Sequence, residues 1–144
     1  MKFVIVYWTR HGNNKRIVEH IEESLQSRGE VRVFLTGEAD PTALPPADFY
    51  IFSSATEAFR IQKNMRKFIK RIKGLEGKKY GIINTHAMEN KNWLDSMEKM
   101  LSKKGMVKAA GIDFRMEGKV EGGQGLQEGW EAKLDTFINK LVTG

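Results

Sequence analysis

Five strand candidates punctuate the chain: the apolar run Phe3–Tyr7, then Val31–Leu35, Phe49–Phe52, Tyr80–Asn84 and a weaker one over Ala109–Met116. Continuous apolar, β-branched runs of this length suit strands buried on both faces, as in a parallel sheet. Between them the period changes. Ile17, Val18, Ile21 and Leu25 recur at helical spacing, as do Ile61, Met65, Phe68, Ile69 and Ile72, then Leu94, Met97, Met100 and Leu101, and last Trp130, Leu134, Phe137, Ile138 and Leu141. Each stripe predicts a helix with one face on a core. Arg28-Gly29 is a suitable stop for the first helix, and Gly105 for the third, which Asn92 can cap. Thr36 to Pro46 holds all three prolines and admits only a short or broken helix. Gly118 to Gly125 reads as a glycine-rich loop.

Strand and helix alternating in this way imply an α/β fold: a parallel sheet with right-handed crossovers and helices on both faces. Nothing suggests a repeat or a second domain, so residues 1–144 are expected to form one unit. Ligands of such sheets bind at the carboxyl ends of the strands, which directs attention to the segments after Tyr7, Phe52 and Asn84.

Composition narrows the chemistry. There is no cysteine, hence no disulfide, thiolate zinc site, iron–sulfur cluster or cysteine nucleophile. Electron transfer would need an organic cofactor. The apolar run after Lys2 is too short for a signal-peptide core, and no run approaches the ~18 apolar residues of a membrane span. A cytoplasmic protein is expected.

The first segment is Tyr7-Trp8-Thr9-Arg10-His11-Gly12-Asn13-Asn14-Lys15. Thr9 brings a hydroxyl, and Gly12 allows close backbone approach. The first amides of the following helix lack intrahelical partners and attract anions, and Asn13 can cap that helix. Arg10 and His11 could add charge-assisted contacts to a phosphate. An ordinary capped turn remains open on this segment alone.

Thr9-Arg10-His11-Gly12-Asn13-Asn14 resembles the S/T-x-T-G-N-T phosphate loop of flavodoxins, down to the preceding Tyr7-Trp8. Thr9, Gly12 and Asn13 match; His11 and Asn14 stand where threonines are usual. The resemblance covers the chain in element order. It implies a three-layer flavodoxin-like fold, a five-stranded parallel sheet in the order 2-1-3-4-5, and FMN with its phosphate in this loop. The family segment G-S/T-P-T/V-Y-A-G-R after the third strand resembles Ser53-Ser54-Ala55-Thr56-Glu57-Ala58-Phe59-Arg60. Ser54, Thr56, Ala58 and Arg60 fit, whereas Glu57 replaces the ring-covering aromatic and Phe59 the small glycine. After the fourth strand, Thr85-His86-Ala87-Met88 corresponds to a loop that meets the flavin edge, with Met88 in the aromatic position. The implied flavin frame is therefore Ser54, Ala55, Thr56, Glu57, Ala58 and Phe59 on one side, and Thr85, His86, Ala87 and Met88 on the other.

No catalytic constellation emerges. His11, His20 and His86 are the only histidines; His20 is expected to be exposed, and His11 and His86 without a third ligand make a weak metal case. No serine elbow or HExxH motif is present. A response-regulator receiver would need acidic residues where Tyr7-Trp8-Thr9 and Ser53-Ser54 stand. An electron carrier needs no protein acid or base. A flavin-free interaction module and a small flavin-dependent reductase remain as alternatives.

The chain carries 24 Lys and Arg against 18 Asp and Glu, a net charge of +6. From Arg60 to Lys79 nine basic residues face one acid, Glu76, so the remainder is slightly acidic. Lys63, Arg66, Lys67, Lys70 and Arg71 follow helical spacing opposite the Ile61–Ile72 stripe. This departs from the acidic habit of flavodoxins. It suggests docking to an acidic redox partner, with a merely solvated face as the alternative. Nucleic acid is disfavoured because no aromatic residues interleave with the charges.

Overall fold

In the computed structural model, residues 1–57, 60–87, 93–116 and 125–143 are described. Among the described residues, six strands and four helices follow one another as β1 (Lys2–Tyr7), α1 (Asn13–Leu25), β2 (Glu30–Leu35), β3 (Phe49–Glu57), β4 (Arg60–Ile61), α2 (Lys63–Lys70), β5 (Lys79–His86), α3 (Trp93–Lys103), β6 (Val107–Arg115) and α4 (Trp130–Thr143). Five strands pair in parallel in the order β2-β1-β3-β5-β6, the arrangement expected from the sequence. β4 adds a short antiparallel hairpin to the end of β3, with Thr56 opposite Ile61 and Glu57 opposite Arg60.

The pleat divides the apolar side chains between two cores. Ile5, Ile51 and Ile83 point toward α1 and α4, where they meet Ile17, Ile21, Phe137 and Leu141. Val6, Phe52 and Ile82 point the other way, against Met65 and Ile69 of α2 and Met97 and Leu101 of α3. Because β1, β3 and β5 are covered on both faces, their central stretches Phe3–Tyr7, Phe49–Phe52 and Tyr80–Ile83 lack polar alternation. Each large side chain buried in this way contributes about 1.5–3 kcal/mol relative to exposure. Phe3 and Phe49 stack across β1 and β3 at 5.5 Å. β2 lies at the sheet edge and is only half-buried.

Several expectations give way. β3 continues through Ser53 and Ser54 to Glu57, and β5 continues to His86, so most of the two supposed loops is strand. Ile61 belongs to β4 and Ile72 lies beyond α2, although both are buried in the same core as the helix between them. Gln62 explains the boundary: its extended backbone (φ −51°, ψ 138°) ends the hairpin, and its side chain accepts a 3.1 Å bond from the N–H of Met65. Thr36 to Pro46 forms turns with no helix. α1 ends at Leu25 with a right-handed Gln26 cap, so Gly29 is not its left-handed stop. The missing side chain of Gly29 instead makes room for the backbone of Met1. Gly105 does adopt the left-handed conformation (φ 79°) shortly after α3. Asn92 and most of the glycine-rich loop lie outside the described residues. No helix among the described residues is long and apolar enough to cross a membrane.

Candidate functional site

The carboxyl ends of β1, β3 and β5 converge at one edge of the sheet. The segment from Trp8 to Gly12 leads from β1 into α1. It is anchored at its start, where the N–H of Trp8 donates to the carbonyl of Ser53 at 3.0 Å. Gly12 is the residue before α1, in the left-handed region at φ 88°, ψ −2°. Its N–H donates to Thr9 Oγ1 at 3.0 Å, closing a tight turn. A hydroxyl that accepts this bond keeps its own hydrogen to donate. No side chain caps α1, so Asn13 is not its N-cap. The N–H groups of its first turn lack intrahelical acceptors.

Both asparagines of the loop turn inward. Asn13 is 6% exposed, and its Oδ1 accepts from the N–H of Gly125 at 2.9 Å, joining the start of α1 to the approach to α4. Asn14 is 3% exposed. Its Oδ1 accepts from Ser53 Oγ at 2.7 Å and its Nδ2 donates to Thr85 Oγ1 at 3.1 Å. One carboxamide thus ties α1 to both β3 and β5 directly beneath the turn.

Arg10 has a partner that its sequence neighbourhood does not suggest. Its guanidinium makes a bidentate pair with Glu57, Nε to Oε2 at 2.6 Å and a second nitrogen to Oε1 at 3.0 Å. The guanidinium also lies 5.5 Å from the centre of the Trp8 ring. The hydrogen bond and charge of Glu57 raise the Arg10 pKa further. Arg10 thus links the first turn to the end of β3 through an exposed ion pair.

On the other face of the sheet, polar side chains form a chain across three strands. Thr56 Oγ1 donates to Asn84 Oδ1 at 3.1 Å, and Asn84 Nδ2 donates to Asp113 Oδ1 at 3.1 Å. His86 Nδ1 lies 2.9 Å from the same Asp113 oxygen. A carboxylate only accepts, so Nδ1 carries the hydrogen. Asn84 and Asp113 escaped the sequence reading. Their signal is the placing of amide and carboxylate side chains within otherwise apolar strands, where each needs a partner. Ser54 is fully buried, and its hydroxyl has no hydrogen-bond partner among the described residues.

Of the residues expected around a flavin, Thr9, Arg10, His11, Gly12, Asn13 and Asn14 lie on the first turn. Ser54, Ala55, Thr56 and Glu57 lie on β3, and Thr85, His86 and Ala87 at or just past the end of β5. Ala58, Phe59 and Met88 lie outside the described residues. His20 is not exposed on α1: its side chain is 26% exposed and pairs with Asp135 at 2.7 Å, beside the edge of Trp130. Among the described residues no cluster of His, Cys, Asp or Glu could hold a metal.

A family model for the flavodoxin domain matches residues 4–123. The chain belongs to the flavodoxin family. Its members are FMN-binding, electron-transferring proteins. The Streptococcus pneumoniae TIGR4 flavodoxin superposes with a TM-score of 0.80 at 20% identity, covering 99% of both chains. Flavodoxin 2 from Bacillus cereus gives 0.77 at 21% identity, again with 99% coverage of both chains. The fold also recurs inside the Desulfovibrio gigas rubredoxin:oxygen oxidoreductase, with a TM-score of 0.80 at 17% identity; there this chain covers 35% of the larger protein. No curated protein matches the chain by sequence.

The donor set of this flavodoxin's first turn fits a phosphate: a glycine-shaped turn, a hydroxyl with its hydrogen to give, and first-turn amides of a helix. Where the resemblance implies an aromatic residue, position 57 carries a carboxylate paired with Arg10.

Proposed function

We propose that this chain binds FMN and shuttles electrons between redox partners. The observation that carries the proposal is the turn at Gly12, whose geometry presents backbone N–H groups and the Thr9 hydroxyl at the carboxyl end of β1. When bound, the flavin supplies the electron-accepting chemistry. The chain's residues do the rest. Thr9 and the amides of Asn13 to Lys15 would hold the phosphate, with His11 beside them. Asn13 and Asn14 position that turn from below. Thr56 and Glu57 on one side, and Thr85, His86 and Ala87 on the other, would border the ring. Asp113 and Asn84 fix the orientation of His86.

The test is a titration of the flavin-free protein with FMN. A shifted visible spectrum and quenched flavin fluorescence are expected; no change at saturating FMN would sink the proposal.

The partner is proposed to be acidic and to dock along α2. Lys63, Lys67, Lys70 and Arg71 are exposed, opposite buried Met65, Phe68 and Ile69. None of them is in an ion pair among the described residues. Arg66 is half-buried and donates through Nε to the carbonyl of Ile61 at 2.9 Å, so part of its role is to hold the hairpin on the helix. Like charges at i, i+4 cost a few tenths of a kcal/mol per pair, a cost that steering of an anionic partner offsets in function. Lys63→Glu with Lys67→Glu should slow oxidation of the reduced protein by ferricyanide about three- to tenfold at low salt. Stopped-flow absorbance reads the rate, and an unchanged rate would make α2 a solvated face only.

A further inference from the structure

At the opposite edge of the sheet, where β5 and β6 begin, a groove of about 330 Å³ lies between the segment after α2 and the end of α3. Ile72 and Leu75, 1% and 5% exposed, line it. Lys73 and Glu76 line it from one side, Lys103 and Lys104 from the other. Backbone bonds brace its walls: Gly77 N–H to the Gly105 carbonyl at 2.8 Å, Lys78 N–H to Leu75 at 3.0 Å, and Lys73 N–H to Pro41 at 3.3 Å. Lys104 Nζ donates to the Lys70 carbonyl at 2.6 Å, which caps α2 and joins the two helices. The groove is thus held open by main-chain bonds, with an aliphatic floor and a cationic rim, and exposed Lys78 and Lys79 follow it in the chain.

We propose that this groove is a docking site for an acidic segment of a partner protein. The carboxylates of that segment meet Lys73 and Lys103 at the rim, above a floor closed by the buried Ile72 and Leu75. Charge complementarity selects an anionic occupant, and the nature of the lining selects polypeptide among anions. No aromatic ring lines the groove to stack a base. The rim cations are lysines, which lack the bidentate fork that reads phosphate. The Glu76 carboxylate repels any anion beside it but accepts from N–H groups, which a peptide backbone offers and a phosphate backbone lacks. A lipid surface would need protruding apolar side chains, whereas this floor is recessed.

The location gives the site its use. β5 runs from Lys79 at this edge to His86 at the other, a span of roughly 20 Å at about 3.3 Å per residue. A partner held here leaves the opposite edge open, so the protein can be tethered to one molecule while it meets another. The groove's binding does not depend on flavin occupying the far end.

The test uses a fluorescein-labelled glutamate-rich peptide, followed by anisotropy at about 0.15 M salt, where charges are screened within about 8 Å. Saturable binding is expected. Lys73→Glu with Lys103→Glu should weaken it about tenfold or more. Lys63→Glu with Lys67→Glu, on the first half of α2, should change it by less than about twofold, because screening separates the two regions. Both altered pairs are exposed, and unchanged circular dichroism checks that the fold is kept. Lys104 is left alone because its ammonium caps α2. Absence of binding overturns the proposal. So does equal weakening by the two variants, which would mean diffuse attraction to the net charge. Tighter binding of an oligothymidylate that displaces the peptide overturns it in favour of nucleic acid.

Discussion

Gly12→Val is expected to weaken FMN binding about a hundredfold, close to 2.7 kcal/mol, while riboflavin affinity changes by no more than about twofold. Gly12 sits at φ 88°, a conformation that costs a side-chain-bearing residue about 1–2 kcal/mol, and a β-branched one more. Valine escapes by moving the turn. That breaks the Gly12 N–H to Thr9 bond and swings the helix-start amides off the phosphate. Riboflavin has no phosphate to lose. Gly12→Ala should fall between, because alanine tolerates the left-handed region at lower cost. Fluorescence-quench titrations of both ligands measure the difference. Equal losses for FMN and riboflavin would remove the phosphate from this turn.

Asn14→Leu is expected to lower unfolding stability by about 2–4 kcal/mol, because it strands buried hydrogen-bonding groups. The carboxamide is the partner of the Ser53 hydroxyl, which is fully buried, and of Thr85 Oγ1, which is 3% exposed. Thr85 keeps a long 3.5 Å bond to the Ser54 carbonyl, so most of the loss falls on Ser53. The double variant Asn14→Leu, Ser53→Ala should recover part of the stability, since removing both partners is cheaper than orphaning one. Urea unfolding of the protein without flavin measures each, with unchanged m-values confirming a common denatured state. A single-variant loss below about 1 kcal/mol would show that the bridge between α1, β3 and β5 carries little of the fold.

The topology was legible because the core is simple in kind. Central parallel strands buried on both faces must be apolar throughout, and α1 and α4 repeat apolar residues at the helical period. Legibility failed where polar side chains satisfy one another inside the sheet. Ser53, Ser54 and Thr56 end the apolar run, so β3 seemed to stop at Phe52; yet Ser53 is answered by Asn14 and Thr56 by Asn84. The spacing of Ile61 and Met65 fits a helix turn equally well as it fits a hairpin residue followed by a cap, and only the conformation of Gln62 separates the two. In the first turn the residue types were readable but their directions were not. Asn13 suits a cap by type, but its side chain is claimed by Gly125. Arg10 suits a phosphate by charge, and no local pattern shows that it also pairs with Glu57, 47 residues away.

That pairing also constrains how this chain can change. An aromatic residue at position 57 would free the Arg10 guanidinium beside the first turn. Position 57 therefore acts on the phosphate turn as well as on the ring side, with Arg10 as the link between them.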